Sequence, residues 1–323
     1  MKLLVLGGSE FVGRTAVEHA LDLQWNVTVF NRGTTPSDPR VNQLRGDRRA
    51  TDGLNAIREG NWDMVFDTWS REPNAVEQSA TMLAGRVDSY IYVSSRSVYD
   101  APEAGANETW PTVQGPGEDY ARCKLGGERA AAAAFGARAL LVRAGLILGP
   151  YENIGRLPWW LNRIERAGDV LAPGPADLAL QYVDARDLVA WSLDAAARGL
   201  GGAYDVVSRP GHATIDDVLQ ACIQATRSDA RLCWVEPDVL SAAGVRPWTE
   251  LPIWIPPGAD HDSLHASDVS KAFAAGLRTR PIQETIADTW MWLQSLNGRT
   301  PMRDDRPPVG LSAEREAAIL AGW

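Results

Sequence analysis

A chain of 323 residues, 45% hydrophobic and 23% charged, has the length for one large α/β unit with an appended lobe and the composition of a globular protein. Its 32 basic and 41 acidic residues leave a net charge of −9 with no basic stripe, which argues against nucleic acid as a partner. Three scattered cysteines (Cys123, Cys222, Cys233) give no zinc or disulfide framework, and no apolar run approaches the roughly 18 residues of a membrane span, so a cytoplasmic protein is expected.

Residues 2–6 read as a strand rather than as part of a leader. Residues 25–30, 63–67, 90–94 and 139–143 follow as further strands, almost continuously apolar as buried parallel strands are. Helical periods lie between them at 11–23, 54–59, 75–83 and 120–134. This alternation predicts an α/β fold, a doubly wound parallel Rossmann sheet over residues 1–150. After Gly149-Pro150 the texture changes. Short strands at 182–183, 203–207 and 232–235 mix with helices at 157–167, 185–197, 215–226 and 282–296. Residues 151–323 are therefore expected to form mainly a smaller α+β substrate lobe over the sheet's carboxyl edge, with some segments returning to the first domain. A polar tail at 303–310 precedes a last helical stretch at 313–320.

The first strand runs into Gly7-Gly8-Ser9-Glu10-Phe11-Val12-Gly13 and then a helix. Glycine is needed at the tight turn and where helix meets strand, so that amides at the helix N-terminus can face a pyrophosphate. Gly7 and Gly13 hold the outer positions of that spacing, and Glu10 replaces the middle glycine. The second strand leads to Asn31-Arg32, where a site for NAD would place a carboxylate against the adenosine 2′-hydroxyl. Asn31 does not repel a 2′-phosphate and Arg32 can pair with one, so NADP(H) is expected in preference to NAD(H). The competing reading of Arg32 is a solvated loop arginine, and Asp47 is read either as an adenine contact or as a turn residue.

Tyr120-Ala121-Arg122-Cys123-Lys124 puts a phenol and an ammonium on one helix face. A free tyrosine has a pKa of about 10, and a cation within a few ångströms lowers such a value by roughly 1–3 units, which makes a usable general acid or base. The strand at 90–94 leads into Ser94-Ser95-Arg96-Ser97-Val98-Tyr99, where a serine hydroxyl can hydrogen-bond a substrate oxygen beside Tyr120.

These residues resemble the extended short-chain dehydrogenase/reductases, also called NAD-dependent epimerase/dehydratases, in the modified-loop form of the atypical members. The resemblance extends through Glu128, Arg143-Ala144-Gly145-Leu146-Ile147-Leu148-Gly149-Pro150, Tyr182-Val183-Asp184-Ala185-Arg186-Asp187-Leu188 and Asp268-Val269-Ser270-Lys271-Ala272. It implies that Ser95 polarises the substrate oxygen, Tyr120 exchanges its proton, and Lys124 holds the nicotinamide ribose and lowers the tyrosine pKa. Cofactor contacts are expected from Gly7, Ser9, Glu10, Phe11, Val12, Gly13, Asn31, Arg32, Asp47, Thr68, Ser94, Lys124 and Gly145. The family's dehydratases carry an Asp-Glu pair after the catalytic Ser/Thr, where this chain has Arg96 and Ser97. With no second-strand carboxylate of the epimerase kind, the expectation is NADPH-dependent reduction of a carbonyl, or the reverse oxidation, on a small molecule. A nucleotide-sugar epimerase retaining NAD is the alternative, and a non-catalytic cofactor sensor or RNA-binding protein is the competing class. The resemblance allows a homodimer.

Trp69, Ser70, Arg96 and Ser97 are expected near the substrate, and Trp159, Trp160, Trp248 and Trp254 are read either as core residues or, for a minority of them including Trp160, as aromatic walls of the pocket. His261 and His265 stand four apart near Asp260, Asp262 and Asp268, a spacing open to a metal, but a polar loop entering a helix accounts for them and no metal is expected.

Overall fold

The computed structural model describes residues 1–303 and 306–322. The first part of the chain runs β1 (Lys2–Leu6), α1 (Phe11–Asp22), β2 (Asn26–Asn31), β3 (Asn42–Arg45), β4 (Met64–Asp67), α2 (Asn74–Leu83), β5 (Ser89–Ser95), α3 (Tyr120–Phe135) and β6 (Ala139–Ala144). It continues as β7 (Leu146–Leu148), α4 (Arg156–Glu165), β8 (Asp169–Pro173), β9 (Ala179–Leu180), β10 (Tyr182–Asp184), α5 (Ala185–Ala197) and β11 (Gly202–Val206). The last part is β12 (Ala213–Thr214), α6 (Ile215–Thr226), β13 (Arg231–Val235), α7 (Pro237–Ala242), α8 (Ala259–His265), α9 (Ser270–Ala274), α10 (Ile282–Ser295) and α11 (Ala313–Ala321).

A seven-stranded parallel sheet in the order β11-β6-β5-β4-β1-β2-β3 forms the centre. Alternate residues of each strand face opposite sides, and both sides are apolar, so both are covered. Leu3 and Val5 pack with Ala16 and Val17 of α1 and Val189 of α5. Leu4 and Leu6 pack on the other side with Val76 and Ala80 of α2 and Ala131 of α3. The chain winds outward from β1 to β3 and then returns to β4, so a crevice opens between the carboxyl ends of β1 and β4, the place where such sheets take ligands.

The lobe has its own core, in which Trp160, Leu161 and Ile164 of α4 meet Val218 and Leu219 of α6 and Ile286 and Leu293 of α10. Two-stranded ribbons β7–β10, β8–β13 and β9–β12 frame it. The strand read at 203–207 is a segment that returns to the first domain, joining the main sheet beside β6 as its seventh strand. One expectation changes. The helix read at 54–59 is a single 3-10 turn, Asn55–Ile57, since the short stretch between Gly53 and Gly60 makes too few hydrogen bonds to offset nucleation. Residues 304 and 305 of the tail lie outside the described residues. Among the described residues no helix is long and apolar enough to cross a membrane.

Candidate active site

The crevice is a groove of about 390 Å³ lined by the loop after β1, the exits of β2, β3 and β4, and Met302 and Arg303 of the tail. Gly7 has φ +122°, and a Cβ there would lie 2.8 Å from Thr68 Oγ1. A Cβ at Gly13 would lie 2.8 Å from the backbone nitrogen of Gly8, so helix and loop touch main chain to main chain. The side chains of Phe11 and Val12 are buried in the core beneath the loop. Their amides begin α1 without intrahelical acceptors, and Gly7, Gly8, Ser9 and Glu10 before them line the groove. This cradle fits a pyrophosphate. Glu10 brings a carboxylate to the same helix end and lines the groove, and its Oε2 accepts from Asn153 Nδ2 of the lobe at 2.7 Å.

Asn31 closes the exit of β2. Its Nδ2 donates to Ser9 Oγ at 2.8 Å, and its Oδ1 accepts from the Gly33 amide at 2.9 Å and Gln43 Nε2 at 3.2 Å. The amide is thus a clamp on the cofactor loop. Arg32 is exposed on the groove wall, and Asp47, also on the wall, accepts from the Arg49 amide. Beneath them lies a pair that the sequence reading missed. Arg48 Nη1 and Nη2 donate to Asp67 Oδ1 and Oδ2 at 2.6 and 2.8 Å, and Tyr90 Oη donates to Oδ2 at 2.6 Å. Asp67 also accepts from the Trp69 amide at 2.9 Å, which sets the turn after β4. A carboxylate at the end of the buried run Met64–Asp67 requires a charged partner, and that requirement was the available signal.

Ser95 ends β5 in extended conformation, and its Oγ accepts from the Ser97 amide and donates to Ser97 Oγ, both at 3.1 Å. Ser94 Oγ is buried and has no hydrogen-bond partner. Tyr120 opens α3, whose N-cap Asp119 accepts from the Arg122 amide, and it stays 39% exposed. One turn on, Lys124 is buried and donates Nζ to the carbonyls of Trp69 at 2.7 Å and Val93 at 2.6 Å. Burial pushes its pKa down to about 7, with Arg303 and Arg306 adding to the effect against Asp67 and Glu128. Close helix–strand contact makes this reach possible, since a Cβ on Gly127 would lie 2.3 Å from Tyr92 Oη. A second unforeseen network braces α3: Arg143 makes a two-pronged pair with Glu128 and donates to Tyr99 Oη, which donates to the buried Asp205 of β11 at 2.6 Å. Burial raises the Asp205 pKa to about 6.

Several expected substrate residues lie elsewhere. Arg96 is buried, with its guanidinium on Asp205 and on the carbonyls of Ser263 and Leu264 of α8, so it ties the sheet to the lobe and is not available to substrate. Trp160 is 0% exposed with Nε1 on the Pro252 carbonyl, and Trp254 is buried with Nε1 on the Gly174 carbonyl; both belong to the lobe's interior. Trp159 and Trp248 are partly buried against that core. Trp69 and Ser70 line the groove, and Ser97 is exposed beside Ser95. Gly145 lies outside the groove lining, pressed against Val207, where a Cβ would approach to 2.7 Å. His261 contacts the Ala179 carbonyl, and His265 accepts from the Gln181 amide.

A family model described as the NAD dependent epimerase/dehydratase family matches residues 3–206. An uncharacterized protein of Sinorhizobium fredii, y4nG, is 27% identical over 252 residues, covering 71% of this chain and 61% of that relative's length. The chloroplast stem-loop binding protein of 41 kDa b of Arabidopsis thaliana is 30% identical over 114 residues, 30% of each chain. Among solved structures, the UDP-glucose 4-epimerase of Thermus thermophilus in complex with NAD shares the fold at a TM-score of 0.67 and 21% identity, covering 91% of this chain and 99% of that one. The family match runs through the whole sheet and takes in the glycine loop, Ser95, Tyr120 and Lys124. The chain belongs to the NAD dependent epimerase/dehydratase family, whose cofactor is a nicotinamide dinucleotide.

Proposed function

We propose that the protein is an NADP(H)-dependent oxidoreductase that reduces a carbonyl on a small molecule, or oxidises the corresponding alcohol. The observation that carries this reading is the anchoring of Lys124 on the Val93 and Trp69 carbonyls, which holds the first turn of α3 against the exits of β4 and β5. Tyr120 stands one turn before that anchor and Ser95 two residues beyond Val93. When bound, the cofactor supplies a hydride to the carbonyl carbon or removes one from the alcohol carbon. Tyr120 Oη gives a proton to the oxygen in reduction and takes it back in oxidation. Ser95 Oγ donates a hydrogen bond to the same oxygen, exchanging its present acceptor, Ser97 Oγ, for the substrate.

NADP(H) is favoured because the exit of β2 carries an amide committed to Ser9 and Gly33, with Arg32 exposed beside it. A small molecule is the expected partner, since the chain carries a net charge of −9 and retains Ser95, Tyr120 and Lys124. Epimerisation is the second reading, favoured by the fold shared with the Thermus enzyme, a UDP-glucose 4-epimerase in complex with NAD.

Fluorescence titration with NADPH and NADH tests the cofactor assignment. Arg32→Ala is expected to weaken NADPH about tenfold and leave NADH unchanged. NADPH consumption is then followed over a panel of aldehydes, ketones and keto-sugars. Tyr120→Phe is expected to slow turnover by about 10²–10⁴ with cofactor affinity retained. Equal turnover by Tyr120→Phe removes the proposal, and interconversion of sugar C4 epimers without net NADPH use moves the assignment to the epimerase.

A further inference from the structure

Two guanidinium groups lie within electrostatic reach of each other and of Tyr120, each over an aromatic ring and with no carboxylate hydrogen-bonded to it among the described residues. Arg306, in the tail, lies with Cζ 5.4 Å from the ring centroid of Tyr120. Arg156, the first residue of α4, lies with Cζ 4.5 Å from the ring of Trp248. The Nε atoms of both are buried and have no hydrogen-bond partner. The two charges also sense each other, because Arg306 adds to the burial that lowers the Arg156 pKa, while Glu152 and Tyr120 oppose it.

The packing that brings them together is specific. The Arg303 amide donates to the Asn153 carbonyl at 3.1 Å, and a Cβ on Gly155 would lie 2.8 Å from Met302 Sδ, so the tail rests on the loop that enters α4. Among the described residues, Glu152, Glu10 and Asp119 are already engaged. Glu152 is buried, accepts the amides of Arg156 at 2.7 Å and Leu157 at 3.2 Å, and has its pKa raised to about 6 by burial. Glu10 holds Asn153 Nδ2, and Asp119 holds Arg122. In a chain with 41 acidic residues, two partly buried arginines left on aromatic faces keep their N–H forks for an acceptor from outside.

We propose that Arg306 and Arg156 form an oxyanion anchor beside Tyr120, so that the substrate carries a phosphate or carboxylate close to its reacting carbon. The inference rests on Tyr120 being the proton-transfer group for a bound small molecule. Arg306 reaches this position only because the tail beyond the last lobe-core helix folds back over the groove. The anchor draws the anion to the exposed face of the phenol, and it discriminates against neutral compounds, which would leave both guanidinium groups unpaired.

The test is anion binding to the full chain, read by calorimetry and by tryptophan fluorescence, with inorganic phosphate and acetate as separate probes. Titrations run with and without saturating NADPH. Saturable binding that persists with NADPH present is expected, weakened at least tenfold in Arg306→Ala and in Arg156→Ala and unchanged in Arg129→Ala on the exposed face of α3. Arg306→Lys, which keeps the charge, is expected to recover part of the affinity, and matched melting curves show that each variant is folded. Tighter binding of phosphate or of acetate assigns the anion. The proposal is overturned if neither anion saturates, if Arg306→Ala binds like the parent, or if NADPH abolishes binding, which would place the arginines in the cofactor site. Because the titration does not use turnover, its failure is distinct from failure of the Tyr120→Phe kinetic test.

Discussion

Lys124 Nζ donates to the Val93 carbonyl at 2.6 Å, so the helix that presents Tyr120 is tied to the strand that ends at Ser95. That tie buries an ammonium and pushes its pKa from 10.5 down to about 7. Between those values the unfolded chain holds a proton at Lys124 that the folded chain has released. Stability must therefore rise with pH through that window, while below about pH 7 the buried charge is a constant penalty. Urea denaturation at pH 6.5 and pH 9 is expected to show the parent gaining on Lys124→Met by about 2 kcal/mol, since each pKa unit is worth about 1.4 kcal/mol. An offset between the two proteins that does not change with pH would mean that the lysine is equally protonated in both states.

The Arg48–Asp67 pair under the groove is sealed from water, with side chains 5% and 0% exposed. Asp67→Asn leaves a buried guanidinium without its countercharge and is expected to cost about 3–5 kcal/mol in chemical denaturation. Replacing both at once, as Arg48→Met with Asp67→Leu, is expected to recover most of that loss. Cofactor affinity should still fall in the double variant, because the Trp69 amide loses its acceptor and the turn after β4 loosens. A double variant as unstable as the single one would show that the pair's geometry, rather than its charge balance, is what holds this region.

Gly13→Ala tests the main-chain contact of the cofactor loop. Alanine is normally the better helix residue by about 1 kcal/mol. At this position its Cβ would sit 2.8 Å from the Gly8 nitrogen, which cannot swing aside as a side chain would. The expected result is a loss of about 1–3 kcal/mol in stability and at least tenfold weaker dinucleotide binding by fluorescence titration. A stabilised variant with unchanged affinity would mean that the loop has room to shift.

Strand–helix alternation, glycines at a strand-to-helix turn, and a phenol and ammonium one helical turn apart are all local patterns. They were legible because period, backbone freedom and side-chain reach depend on near neighbours in the chain. The strands at Lys2–Leu6 and Ala139–Ala144 and the helices Ala185–Ala197 and Ile215–Thr226 announced themselves in this way. Partner choice did not. Nothing near residues 203–207 says that the strand pairs with Ala139–Ala144, and nothing near Arg96 or Trp160 says that one is drawn to Asp205 and the other into the lobe's core. Arg48 with Asp67, and Arg306 over Tyr120, likewise join segments far apart in the chain. A buried charge or hydrogen-bonding group must find its complement wherever the packed chain brings one, so these pairings arise from folding the whole molecule. Local sequence set the elements and the reactive groups; three-dimensional packing decided which of those groups face the groove.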